Sequence, residues 1–110
     1  MRLMIDTSKV SFQVSSNPVA KLDQQGRQRT EKDTGVPMWS VELVALDAKG
    51  AQVLTVTVTN PVMPAVTVGQ AVVPLDLEAL PWMNKDRDGN PRHGTAFKAT
   101  ELKVPAGVGK

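Results

Sequence analysis

Within residues 53–60, VLTVTVTN, aliphatic and hydroxyl side chains alternate without a break from Leu54 to Thr59. Leu54, Val56 and Val58 fall to one side of such a segment, and Thr55, Thr57 and Thr59 to the other. Successive side chains of an extended chain point to opposite faces, so a period of two marks a half-buried strand. The β-branched residues reinforce the pattern, because their stiff χ1 suits a pleated surface. A chain built on this segment is committed to sheet, and its remaining segments must supply the neighbouring strands.

The segment before it, MWSVELVALDAKG, keeps the same period: Trp39, Val41, Leu43 and Ala45 alternate with Ser40, Glu42, Val44 and Leu46. DAKG makes a tight turn, so the two segments predict a β-hairpin. Further upstream, Val10, Phe12 and Val14 share a face opposite Ser11, Gln13 and Ser15, which predicts a first strand. Residues 21–37 between them, KLDQQGRQRTEKDTGVP, are polar and punctuated by Gly26, Gly35 and Pro37. With no apolar face, they predict a long, mobile loop.

After the hairpin, Pro61 and Pro64 bar a helix from the stretch that follows, leaving a loop-like connection. AVVPLDLEALPW predicts another strand, with Val73, Leu75, Leu77 and Ala79 on one face. Pro74 lacks an N–H for the ladder and predicts an edge or a bulge. The turn DRDGNPRHG leads into TAFKATELKV, whose alternation slips between Ala99 and Leu102, where a bulge would restore the register. Residues 105–110, PAGVGK, predict a frayed tail. About five strands and no helix, in a single domain spanning 1–110, predict an all-β barrel or sandwich.

Composition narrows the chemistry. The chain has no cysteine, which removes disulfides, thiolate nucleophiles and cysteine-ligated metals. Its one histidine, His93, sits in a predicted turn with no orienting carboxylate. No nucleophile elbow, phosphate-gripping glycine loop or paired carboxylates occur, so no enzyme activity, catalytic residue, metal or cofactor is expected. A calcium loop begun at Asp86 would need a glycine at its sixth place and a glutamate at its twelfth, where this chain has Pro91 and Phe97. No long apolar run suggests a leader or a membrane span, so a cytoplasmic protein without membrane partners is expected. A net charge of +2 and a pI near 9.2 permit a polyanionic partner without requiring one.

The candidate binding residues cluster around LPWMNKDRDGNPRHGTAF, residues 80–97. Lys85, Arg87, Arg92 and Lys98 outnumber Asp86 and Asp88, and in the earlier loop Lys21, Arg27, Arg29 and Lys32 outnumber Asp23, Glu31 and Asp33, with Arg27 and Arg29 the candidate contacts there. Phosphate contacts need only such an excess in the right place. Trp82 has two readings: a platform for base stacking, or a lid over an open end of the core. Phe97 would lie near Trp82 if the hairpin paired the two aromatics across strands. Trp39 and Phe12 have the parity of core residues.

The order Gly69, Val72, Leu75, Leu77, Trp82, Asp88, Gly89, Arg92 and Phe97 resembles the last hairpin of bacterial single-stranded DNA-binding proteins. That resemblance implies a five-stranded Greek-key barrel of the OB-fold type, gripping single-stranded nucleic acid beside the hairpin. It departs from those proteins in lacking a helix in the 60–70 region and an acidic C-terminal tail. RLMIDTSKVSF, DTGVPMWSVELVAL and GTAFKA resemble small proteins of actinobacterial integrative plasmids, named as regulators or activators of replication, integration and excision. This implies an accessory role on a mobile element. The alternative is an OB-type module that docks on a replication or recombination protein without touching nucleic acid. The VLTVTVT edge further predicts a homodimer.

Overall fold

The computed structural model describes residues 3–104, apart from the side chains of Asn84 and His93. Its strands are β1 (Leu3–Met4), β2 (Ser11–Ala20), β3 (Met38–Asp47), β4 (Gly50–Thr59), β5 (Ala71–Leu75), β6 (Glu78–Lys85), β7 (Pro91–Ala99) and β8 (Glu101–Lys103). They form one curled mixed sheet in the order β1-β6-β7-β4-β3-β2-β5-β8. No helix occurs among the described residues. The predicted tail at 105–110 lies outside them.

The hairpin predicted from the alternating segments is β3–β4, paired from Met38↔Thr59 down to Asp47↔Gly50. Val41, Leu43, Val56 and Val58 are fully buried along it. Each such burial contributes about 1.5–3 kcal/mol relative to exposure. Phe12 and Val14 of β2 join the same core, together with Val72, Leu77, Ala99 and Leu102. Trp39 keeps the parity of this face and stays half-buried, its indole N–H donating to the Asn60 carbonyl at 2.8 Å.

The sheet has eight strands where about five are predicted, and two interruptions account for most of the difference. Asp76 has φ 53°, in the left-handed region that short polar side chains tolerate better than most. It separates β5 from β6. Thr100 separates β7 from β8, at the slip predicted between Ala99 and Leu102. The two breaks are tied together: the Thr100 amide donates to the Leu75 carbonyl at 3.0 Å, and its hydroxyl lies 3.1 Å from the Asp76 carboxylate. β1 is a short addition that pairs with β6 through Leu3↔Ala79 and Met4↔Glu78.

The break at Asp76 also corrects the predicted facing of the 71–82 segment. Val72 and Pro74 are buried, while Val73 is exposed and Leu75 only half-buried. Leu77 and Ala79 are buried as predicted. An uninterrupted strand would keep one parity throughout; the left-handed residue switches it. β5 lies between β2 and β8, but at Pro74 it is paired with β8 alone, so the predicted edge holds locally on the β2 side. The β2 ladder stops at Val72↔Phe12, before the residue that has no N–H to give.

These breaks decide where the last hairpin goes. β5 pairs with β2 and β8, whereas β6 pairs with β1 and β7. β7 runs parallel to β4 only over Phe97–Ala99. Its pairing with β6 continues to Lys85↔Pro91. Residues 80–96 therefore extend past the rest of the sheet as a two-stranded ribbon. The VLTVTVT edge, from which the sequence predicts a second copy, is taken over Val56–Val58 by β7 of the same chain.

Candidate nucleic-acid interface

Register sorts the ribbon into two faces. Ala79 and Ala99 are buried, so odd-numbered positions near the base of the ribbon face the core. The outer face then carries Glu78, Leu80 and Trp82 from β6, and Arg92, Gly94, Ala96 and Lys98 from β7. Trp82 stands opposite Gly94, not Phe97. Phe97 stands opposite Ala79 on the other face and packs against the core. The predicted aromatic pair is therefore absent: the two rings lie on opposite faces of the ribbon.

Trp82 lies over the backbone of Gly94. A β-carbon on residue 94 would come within 2.6 Å of Cζ2 and 2.8 Å of Cε2 of the indole. The ring is supported from below by the glycine and remains 41% exposed. A lone glycine inside a strand pattern is the signal that could have identified this approach in the sequence. On the reverse face Met83 is more exposed still, at 79%.

The predicted cations divide among four places. Arg92 and Lys98 share the outer face with Trp82, and Lys98 stands opposite Glu78 in register. Trp82 is four residues along β6 from Glu78, or roughly 13 Å at about 3.3 Å per residue. Lys85 alternates to the reverse face with Met83, opposite Pro91. Arg87 lies in the exposed tip between β6 and β7. Arg27 and Arg29 belong to the 21–37 loop. There Arg27 forms an ion pair with Asp23 at 3.7 Å, mostly exposed on the arginine side.

The tips of the ribbon and of the 21–37 loop have the same design. In the ribbon tip, the Asp86 carboxylate accepts from the Asp88 and Asn90 amides, Gly89 N–H donates to Asp86 O, and Asp86 N–H donates to Asn90 O. In the loop, the Asp23 carboxylate accepts from the Gln25 and Arg27 amides, with the same two backbone bonds made through Gly26 and Arg27. Gly26 and Gly89 have φ near +80°, at 82° and 80°. DQQGR and DRDGN are thus equivalent turns, with the aspartate carboxylate holding backbone N–H groups as in an Asx turn.

The 21–37 segment lies between β2 and β3, as predicted, but it is internally bonded. Bridges join Leu22 to Gln28 and Thr30 to Pro37. The Glu31 carboxylate accepts from the Thr34 hydroxyl and amide and from the Asp33 amide. Those bonds, Thr34's above all, hold its pKa below the usual glutamate value, with Lys98 adding a smaller push in the same direction.

The sequence counts Lys21 only toward the charge of the loop, and its contact across the sheet has no counterpart in that reading. Its Nζ donates to the Thr57 hydroxyl of β4 at 2.7 Å. Partial burial lowers its pKa, and the Arg29 charge lowers it further. Thr57 is itself the β4 partner of Lys98. A lysine placed just after a strand gave no sequence signal that it reaches across the sheet.

Among the described residues, no group of three or more His, Asp or Glu side chains is placed to hold a metal ion. Nor is any helix there long and apolar enough to cross a membrane. No protein-family model matches the chain, and no curated protein matches it.

Proposed function

We propose that this chain binds single-stranded DNA on the outer face of the β6–β7 ribbon, as an accessory protein of a mobile genetic element. The observation that carries the proposal is the Trp82 indole, held against Gly94 and open to solvent, in line with Arg92 and Lys98. An aromatic face supported by backbone accepts a base whatever its identity, and stacking contributes about 1–3 kcal/mol per base. Arg92 and Lys98 flank that face and attract phosphates without reading sequence. Arg87 at the tip and Arg27 and Arg29 in the facing loop widen the positive field. Lys85, on the reverse face, contributes only through that field.

The proposal includes an OB-type barrel. β5 and β6 are read as one strand bent at Asp76, and β7 and β8 as another bent at Thr100. With the two-residue β1 set aside, the sheet then reduces to five strand paths, with the first three, β2, β3 and β4, in a meander. The third pairs in parallel with the fifth, the fifth pairs antiparallel with the fourth, and the fourth returns to the first. That Greek-key order supports the assignment, and the 21–37 loop and the ribbon then flank one face. The plasmid context rests on the sequence resemblance alone.

The test is anisotropy of a labelled oligothymidylate titrated at low and at moderate salt, with native protein and with Trp82→Ala. Salt-sensitive binding that the substitution weakens supports the proposal. Absence of binding at low salt overturns it and favours a protein-docking module.

A further inference from the structure

We infer a discrete anion site at the base of the ribbon, formed by Lys21, Arg29 and Lys98 around Thr57, for phosphate oxygens of a phosphodiester or polyphosphate chain. In the setting of a bound strand it rests on the proposed function, and it gives that strand a fixed second anchor beyond Trp82.

The geometry starts from β4. Val56 and Val58 are buried, so Thr57 points outward between them. On one side Thr57 pairs with Lys98 of β7. Neighbouring strands lie about 4.8 Å apart, so Lys98 leaves the sheet beside the threonine. On the other side Thr57 pairs with Ser40 of β3, and Lys21 reaches over that strand to bond the threonine hydroxyl at 2.7 Å. Arg29 is fixed alongside Lys21: its amide donates to the Lys21 carbonyl at 2.6 Å, and its own carbonyl accepts from Met38 at 2.9 Å.

Three cations are therefore brought together by backbone pairing. Among the described residues none of them forms an ion pair with a carboxylate, the loop's pair being Arg27–Asp23. Two carboxylates stand nearby. Glu31 is engaged by Thr34 and Asp33 and is close enough to sense Lys98, and Glu78 is the register partner of Lys98. Burial first, and the Arg29 charge second, disfavour the charged form of Lys21, as its lowered pKa reflects. An anion at this point offsets the cost by favouring the charged form. Thr57 already accepts from Lys21, so its hydroxyl hydrogen is free to donate to a phosphate oxygen. A surface lysine would instead spread into solvent, whereas this one is held by a side-chain bond.

Tripolyphosphate titrated into ¹⁵N-labelled protein is expected to shift the Lys21, Arg29, Thr57 and Lys98 amides selectively. Lys21→Gln, which retains a donor for Thr57, and Lys98→Gln should each weaken that response at least threefold. Each should also reduce the salt slope of oligothymidylate binding by about 0.7, the value for one phosphate contact on a single strand. Either the localised shifts or the reduced slope supports the site. Neither effect in either variant, with oligothymidylate still bound through Trp82, overturns the site and leaves the proposed function standing. Tripolyphosphate bound at these residues with no oligothymidylate binding supports the site and overturns the nucleic-acid function instead.

Discussion

Trp82 and Gly94 face each other across the β6–β7 ribbon, and the indole occupies the space where any other residue at 94 would place its side chain. The glycine weakens the strand locally, since it brings no packing and extra backbone freedom. In return the ring crosses the ribbon and keeps one face open. The pair explains why a polar, charge-dense hairpin carries a tryptophan at all.

Gly94→Ala is expected to fold, because the obstructing atoms belong to a side chain that can rotate away. The indole should be displaced outward, with a red-shifted emission. Affinity for oligothymidylate should fall about threefold to tenfold, part of the ~1–3 kcal/mol that one stacked base contributes. An alanine variant with unchanged emission and unchanged affinity would show that the glycine does not position the ring.

The link between Thr100 and Asp76 should be a stability feature and not a binding one. Thr100→Val removes the hydroxyl that reaches the Asp76 carboxylate and the Leu75 carbonyl, at 3.1 and 3.2 Å. A loss of about 0.5–1.5 kcal/mol is expected from chemical denaturation, in the range of one net hydrogen bond. Asp76→Gly should be nearly neutral, since glycine accepts φ 53° without strain and offsets the lost bond. If Thr100→Val left stability unchanged, the hydroxyl would contribute nothing to the tie, which would rest on the backbone bond from the Thr100 amide to the Leu75 carbonyl.

Lys21 should titrate below the ordinary lysine value of 10.5 in the free protein, because burial and Arg29 both disfavour its charge. The sign follows from proton counting. Between the lowered folded value and 10.5 the unfolded chain holds more protons, so stability rises with pH across that window. The penalty is fully present below it. An oligonucleotide phosphate beside Lys21 should move its pKa back upward. Side-chain ¹⁵N shifts of Nζ followed through alkaline titration, with and without oligothymidylate, check both directions.

Glu31 supplies the complementary acid-side test. Its lowered pKa comes from the Thr34 hydroxyl and amide, so the stabilisation is present above pH 4.5 and is lost as pH falls through the folded value. The Thr34 and Gly35 amides should therefore shift at acid pH before the β3–β4 core responds. Simultaneous changes in both would mean that the loop turn has no separate equilibrium.

Much of the sheet was legible because period-two alternation is local. The pairing of β3 with β4 and the burial of Val41, Leu43, Val56 and Val58 follow from side chains that must choose a face. The slip between Ala99 and Leu102 was legible for the same reason. Asp76 was not, because a left-handed residue inside an apolar run leaves the composition unchanged while reversing the parity of Val73 and Leu75. The Trp82–Phe97 pairing failed because register depends on how many residues the tip consumes. The turn from Asp86 to Asn90 sets Trp82 against Gly94. The contact of Lys21 with Thr57 was not legible because it joins residues 36 apart, and no spacing rule spans that separation.

The chain has two tryptophans, which makes the most direct test possible. Trp39→Phe loses one bond to the Asn60 carbonyl, a cost of about 1 kcal/mol, and leaves Trp82 as the sole indole. Oligothymidylate added to this variant at low salt should quench the remaining emission to saturation, and added salt should restore it. Emission that stays constant while a labelled oligothymidylate is demonstrably bound, or no binding at all, would contradict stacking on the outer face of the ribbon.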